Sequence, residues 1–534
     1  MAATTPPHGA ATEPAALPTA QAKYTDPRLN RWYYQVDNRG LIVASSAPAT
    51  DKRAEDVWQW TRYSDGLVKE YIEPSGAGGE RGPDEQFGPL TTTYTYVKGN
   101  LTHVQYAKAS VSESWTYDEF SQVETYTDPT GRGTVYVPSA EGNGNIEFVQ
   151  DTYNGVVLRA TQLDYTPDRV TGQTDILPGG LLLTSTVAHD TTFDAVTTRY
   201  EYYDDESNKG NFGQVERTIY ADGNTALAAF VEYEYDVHRN MVVFKNLRRN
   251  ESDPTRTSQF LYDNLDRLVQ TTSAAPNVAG SHGAVVTNYL YDAAGNLVTL
   301  TDAPRENGSS PTTTYEYDGM NRLTKTILPV PHGDYRTDQS SPTYITIYDA
   351  AGNIEEEIDP AGRITQYNNN ARGMVDFVRT EKPNYGANAP KGSDRRSVLA
   401  YTYDAAGNVA SVTDPRLVDS RSGQEIKTYF QYDELHRQTK MTQPNIGTGH
   451  ANPVTDTIYD NAGRILFVHT PGPNTDGSQV VTGYTYDAFG RLETETFPAT
   501  ESGELGNRYV YDSRGNLKQE HVQEDGQDTI YSTY

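Results

Sequence analysis

The sequence predicts an all-β protein built of repeated antiparallel β-hairpins, and three observations predict it. The hexapeptide YDAAGN occurs three times, starting at Tyr291, Tyr348 and Tyr403. A Tyr-Asp pair followed by turn-forming residues recurs through the second half of the chain. No long amphipathic helical period appears anywhere in the 534 residues. A catalytic pocket needs its motif once, whereas a phrase repeated along a chain is a building unit.

The anchor tyrosines are Tyr235, Tyr262, Tyr291, Tyr317, Tyr348, Tyr367, Tyr403, Tyr432, Tyr459, Tyr486 and Tyr511, separated by 19 to 36 residues. Each justifies a strand before it. An aromatic residue stands two positions earlier in eight units, as in Tyr289, Tyr315 and Tyr401, and Thr in the other three. Strand side chains alternate, so the two rings share one face, and aromatic and β-branched types favour strands.

A turn comes next. Asp follows the anchor in ten of the eleven units, the exception being Asn368. An Asp here accepts hydrogen bonds from backbone N–H groups just ahead, and the fourth residue of the tetrad enters the left-handed region to close a type I turn. The residues that tolerate positive φ are Gly, then Asn, Asp and His. The pairs Asp263 and Asp266, Asp292 and Gly295, Asp318 and Asn321, Asp349 and Gly352, and Asp404 and Gly407 obey this rule. So do Asp433 and His436, Asp460 and Gly463, Asp487 and Gly490, and Asp512 and Gly515. Arg239 and Ala371 stand as misfits at the fourth position. All these residues read as structural turn formers; none reads as a reactive group.

The second strand begins with Arg or Asn in all eleven units, followed by an aliphatic residue in nine, as at Leu268, Leu297, Ile354 and Leu492. The Arg side chains are expected to lie across neighbouring tyrosine rings and the Asn side chains to bond backbone. Stretches rich in Pro, Gly, Asn and Ser, such as APRENGSSP and TPGPNTDGS, follow as loops. Short turns are therefore expected along one edge of the sheet and long variable loops along the other.

Residues 1–22 form an Ala/Thr/Pro-rich arm with neither the basic start nor the apolar run of a secretory signal peptide. Residues 23–230 read as a divergent N-terminal part of the same sheet, where WTYDEFSQV keeps the Tyr-Asp pair and TDPTGR echoes IDPAGR. Residues 231–534 hold the regular units. Forty tyrosines against 13 phenylalanines point to thin, partly wet layers, because a buried Tyr still needs a partner for its hydroxyl.

The formal charge of −28 disfavours nucleic acid and anionic membranes as partners. No apolar run approaches the ~18 residues that span a bilayer, so no membrane insertion by this segment is expected. Cysteine is absent, which removes disulfides, thiol nucleophiles and Cys-ligated metals.

Tyr-Asp-x-x-Gly-Arg/Asn-Leu at a period near 27 resembles the RHS, or YD-repeat, family. That family includes Rhs polymorphic toxins, the B and C components of Tc toxins, wall-associated proteins and the teneurins. The resemblance implies a spiralling ribbon of hairpins that forms part of a hollow shell, a β-cocoon or barrel. It implies a non-catalytic container that encapsulates and helps deliver a C-terminal toxin or effector domain. The alternative within the family is cell-surface adhesion or carbohydrate binding, with glycans or a cell-surface receptor as partner.

The toxin members end their repeats with a Pro…Asp-Pro-x-Gly terminator and a variable toxic domain, and neither follows the last Tyr-Asp unit at Tyr511. The expected partner is thus an encapsulated toxin domain or a companion shell polypeptide. Any nuclease or other toxin activity is expected outside these residues, and secretion or surface display by a route other than a Sec signal peptide is implied.

Other patterns argue for plain structure. Asp205, Ser207, Gly210 and Glu216 match positions of a calcium-binding loop, but Lys209 stands where an oxygen ligand is required. The segment from Gly76 to Gly79 lacks dinucleotide-binding spacing, and the ten histidines show no metal-ligand spacing. No catalytic, cofactor or metal site is expected.

Overall fold

The structure, a computed structural model, describes residues 20–48, 57–74, 90–140, 144–166, 179–188, 196–204, 211–222, 229–248, 257–273, 284–304, 309–330, 340–380, 397–413, 426–444, 452–472, 478–500, 503–512, 515–524 and 527–533. Among these residues are 38 strands and no helix. All 38 belong to one sheet. Each strand pairs antiparallel with the next along the chain, from Ala20–Thr25 against Arg31–Val36 to Leu517–Glu524 against Gln527–Thr533. Such a meander needs only local closures, which keeps the entropy cost of each connection small.

The repeated tetrad makes the turn. In the unit at Tyr291, the Gly295 N–H donates to the Asp292 carbonyl at 3.2 Å, and the Asp292 N–H donates to the Asn296 carbonyl at 2.9 Å. Gly295 lies at φ +93°. The register slips between Leu290 and Tyr291, the bulge that accompanies a left-handed residue closing a type I turn. Gly352, Gly407, Gly463, Gly490 and Gly515 share this conformation, as do Asp266 (57°), Asn321 (61°) and His436 (61°).

Two units differ from the sequence expectation. Arg239, which looks incompatible, takes φ +71° and closes its turn with its N–H on the Asp236 carbonyl at 3.1 Å. Two ladder bonds and the Asp236 cap outweigh the ~1–2 kcal/mol cost of a left-handed non-glycine residue.

The unit assigned to Tyr367 is displaced by two residues. Asn370 opens the turn in place of Asn368, and Gly373 at φ +82° closes it in place of Ala371. The Asn370 Oδ1 accepts from the Arg372 and Met374 N–H groups at 2.9 and 3.1 Å, as an Asp would. A shift of two keeps every side chain on its face, so the sheet tolerates it.

Upstream of residue 230 the turns persist in altered spelling. Asp118 and Ser121 (φ +66°) reproduce the tetrad. Lys98 and Gly99 are both left-handed between Val97 and Asn100, as a two-residue type I′ hairpin requires. Two tight Asp-Pro-x-Gly turns, at Asp128 and Asp359, follow the ninth strand (Val123–Thr127) and the twenty-fifth (Ile354–Ile358). Tyr-Asp turns follow even-numbered strands, so these two sit on the opposite edge. That edge is not made of long loops alone.

The ribbon returns to itself. Turns late in the chain meet the loop edge of the first strands. The turn after the thirtieth strand (Lys427–Tyr432) touches Glu73, the end of the fifth (Val68–Glu73). The turn after the thirty-fourth (Gln479–Tyr486) touches Arg132, the start of the tenth (Arg132–Pro138). The offset is about two dozen strands each time, so one lap of the spiral takes about 24 strands, wide enough to leave an interior.

A single layer has little to bury. Among the described residues the buried apolar side chains are Val43, Ala44, Ala47, Val104, Val111, Ile219, Val231, Ala405 and Ala410. Of these, Ala47 adjoins Pro48 and Val111 adjoins Ser110, two residues bonded across the line where the second lap meets the first.

Candidate functional site

Two constellations emerge: an interlock between successive hairpins and a seam between successive laps. In the interlock, nine of the eleven anchor tyrosines, from Tyr262 to Tyr511 with Tyr367 excepted, are tied by their hydroxyls to a backbone carbonyl of the hairpin before. The hydroxyl of Tyr291 donates to the Leu268 carbonyl at 2.8 Å, Tyr317 to Leu297 at 2.9 Å, Tyr459 to Gln438 at 2.9 Å and Tyr486 to Ile465 at 2.8 Å. Where the repeat lacks its tyrosine, Asn369 Nδ2 donates to the Ile354 carbonyl at 2.8 Å instead. This bond explains why the position holds Tyr and not Phe, a reason composition alone only hinted at.

The Arg of one unit covers the anchor ring of the next. Arg267 lies 4.9 Å from the Tyr291 ring, Arg322 4.4 Å from Tyr348, Arg437 4.8 Å from Tyr459 and Arg464 4.5 Å from Tyr486. Each guanidinium also grips its own turn, with Nε of Arg267 donating to Asp263 at 2.8 Å and Nε of Arg437 to Asp433 at 2.8 Å. These contacts hold the carboxyl groups of Asp263 and Asp318 below the usual range, the Arg hydrogen bond being the main cause. For Asp433 burial pushes up, and the bonds to Arg437 and to backbone N–H groups outweigh it.

Asn at the same position works differently. Asn240, Asn296 and Asn408 each bond the Asp of their own turn, and each also reaches the fourth residue of the next turn. Their partners there are Asp266 at 2.8 Å, Asn321 at 3.0 Å and His436 at 3.1 Å. Asp266, Asn321 and His436 thus each follow an Asn unit. Arg267, Arg322, Arg437, Arg464 and Arg491 are all followed by a Gly turn. At Gly352 the longer Arg takes that space: a Cβ added there would stand 3.2 Å from Arg322 Nη1, whereas one added at Gly295 would meet nothing within 4 Å.

The seam joins residues more than 300 positions apart. Arg28 Nη1 lies 3.2 Å from Asp349 Oδ2 and donates to the Asn369 carbonyl at 3.1 Å. Arg372 Nε donates to the Pro48 carbonyl at 3.2 Å, Asn461 Nδ2 to the Ser110 carbonyl at 3.0 Å, and Arg132 Nε to the Ala488 carbonyl at 2.8 Å. His436 Nε2 and Glu73 Oε2 are 2.6 Å apart. That bond, with the charges of Glu73, Asp404 and Asp433, raises the His436 pKa against the opposing effect of burial. Nothing in the sequence pairs His436 with Glu73, because the signal for a seam contact is spread over 363 positions.

The sequence-predicted turn residues therefore lie in a row along one edge, repeated and separated, and two of them, His436 and Gly463, line a cleft at the seam. Among the described residues no group of His, Asp or Glu could hold a metal ion. Asp205, Ser207, Gly210 and the segment from Gly76 to Gly79 lie outside the described residues. No helix among the described residues is long and apolar enough to cross a membrane.

The fold and its seam define a class, an unclosed hairpin ribbon that stacks on itself lap by lap. No family model and no curated protein matches the sequence. Among solved structures the chain is similar to the crystal structure of TcdB2-TccC3-TEV, at 14% identity and a TM-score of 0.53, over 96% of this chain and 26% of that one. The crystal structure of TcdB2-TccC3-Cdc42 matches at 15% identity and a TM-score of 0.49, over 94% of this chain and 26% of that one. The Photorhabdus luminescens Tc holotoxin pore with the mutation TccC3-D651A gives 15% and 0.49, over 93% and 26%. The first of these carries the likeness in fold. This chain spans about a quarter of the length of the structures it matches.

Proposed function

We propose that this chain is a wall segment of a container of the RHS, or YD-repeat, kind. It would enclose a polypeptide cargo, a toxin or effector domain, and take part in its delivery without chemistry of its own. One observation carries the reading: the turn edge of the second lap bonds to the loop edge of the first, so a ribbon one strand thick becomes a continuous wall. The likeness in fold to TcdB2-TccC3-TEV supports it.

The test purifies the chain together with the toxin or effector polypeptide it is proposed to enclose. It then compares protease cleavage of that polypeptide with and without the wall. Protection by the wall is the expected result, and equal cleavage in both samples refutes the container. Nuclease and glycosidase assays on the 534 residues are expected to match a heat-denatured control. The rival reading, surface adhesion by glycan stacking, is disfavoured by how the rings are used. Anchor hydroxyls are bound to neighbouring hairpins and several ring faces are covered by arginine. A glycan panel is expected to be blank.

A further inference from the structure

The seam contains a cleft of about 560 Å³ that the container reading does not use. Its first-lap wall presents Tyr71, Tyr94, Tyr106 and Tyr126 with the carboxylates Glu73 and Glu113, and its second-lap wall is the turn around His436. Strand register explains the gathering. Tyr71 opposes Thr92, Tyr94 opposes Val104, Val104 opposes Glu113, and Trp115 opposes Tyr126. Directly opposed residues share a face, so rings and carboxylate stand on the same side of the sheet.

The two carboxylates differ in their compensation. Glu73 is bound to His436. Glu113 accepts from the Tyr106 hydroxyl on Oε2 at 3.1 Å and from the Tyr126 hydroxyl on Oε1 at 3.2 Å, and it faces no cation among the described residues. Burial and the nearby Glu113 charge push both phenols up to about 12, so they remain donors and never become anions at neutral pH. Arg437, also at the cleft, is committed to Asp433. Asp128 and Glu434 also line the cleft, and Glu113 is the carboxylate that two hydroxyls orient among aromatic rings.

We propose that this seam cleft is a binding site for an organic ammonium ion, with Glu113 as its counter-ion and the tyrosine rings as its walls. Aromatic faces attract ammonium groups electrostatically, and the attraction grows as the cation loses water. An anion would meet four carboxylates, those of Glu73, Glu113, Asp128 and Glu434, and a neutral sugar would leave the Glu113 charge uncompensated. A free quaternary amine and a lysine side chain of a polypeptide share this chemistry. The inference stands independently of what the shell encloses.

The test titrates the purified chain, by calorimetry and tyrosine fluorescence, with choline, with a short lysine peptide, and with 3,3-dimethyl-1-butanol as the uncharged counterpart of choline. At least one ammonium probe is expected to bind at least tenfold more tightly than the uncharged one, and added salt is expected to weaken it. Choline against the lysine peptide tells a free amine from a protein side chain. Glu113→Gln is expected to reduce binding at least tenfold, whereas Glu316→Gln on a distant strand leaves it unchanged. If Glu113→Gln fails to fold, the salt dependence and the uncharged probe decide the matter on the native chain. Equal or tighter binding of the uncharged probe, or no binding of either ammonium probe, overturns the proposal.

Discussion

The turns at Asp263 and Asp433 are built alike, yet they live in different surroundings. Both cap their own backbone, and both carry an Arg that clamps the Asp and covers the next tyrosine ring. The Asp263 side chain is 25% exposed and makes its bonds within adjacent hairpins, whereas Asp433 is 8% exposed with Lys108 of the first lap 3.9 Å away. Asp460, two strands on, is 12% exposed. One motif thus serves as a free rim in one region and as a joint in the other. The difference teaches that the turn is local, whereas its burial depends on where the spiral brings it.

The largest expected effect breaks that comparison directly. Asp433→Ala removes the bonds to the Leu435 and Arg437 N–H groups and leaves a mostly buried guanidinium without its carboxylate. Such losses cost about 2–3 kcal/mol, and local amide exchange should rise on both sides of the seam. Asp263→Ala should loosen its own hairpin alone. Equal spreading of the exchange change in the two variants would show that no seam exists.

Tyr486→Phe and Tyr317→Phe come next. Each deletes one hydroxyl bond to the preceding hairpin, worth about 1 kcal/mol. Because that bond lies inside the ribbon, docked and free regions should lose the same amount in thermal melts. A much larger loss at Tyr486 would move the tyrosine from the interlock to the seam.

A smaller effect sharpens the pairing between neighbouring turns. Gly352→Asn should be destabilising beside Arg322 and better tolerated beside Arg322→Asn, which restores the Asn–Asn arrangement of Asn296 and Asn321. A coupling of about 0.5–1 kcal/mol in the double-mutant cycle is expected. Strict additivity would reduce the pattern to coincidence.

The smallest effect depends on pH. The folded pKa of His436 is raised, first by its bond to Glu73, so its stabilisation is complete below the ordinary value of 6.5 and fades as pH rises through the folded value. The facing charges are Glu73, Asp404 and Asp433, and Lys108 and Arg437 already sit on Asp433. The gap in melting temperature between the native chain and His436→Asn should therefore be widest in mild acid and shrink toward alkaline pH. For an exposed to half-buried pair it should not exceed about 1 kcal/mol. A gap that widens with pH reverses the sign and removes the latch.

Much of this was legible in the residues. The left-handed corner at Asp266, Asn321 and His436 follows from steric tolerance, and the Arg-on-ring contacts follow from spacing. The displaced unit at Asn370 was missed because Tyr367 copies the anchor, while the side-chain bonds that define the turn belong to a residue two places on. The tyrosine staple was missed because its acceptor is a backbone carbonyl, and a sequence carries no mark of which carbonyl is free.

By itself the sequence determined the hairpin, its turn and its repetition, since these rest on contacts within a few tens of residues. Only the tertiary structure decided which turns dock, that His436 meets Glu73, and that a second-lap turn closes the tyrosine-lined cleft. Those meetings depend on small twists added over about 24 strands, a sum to which every hairpin contributes and which no single motif records.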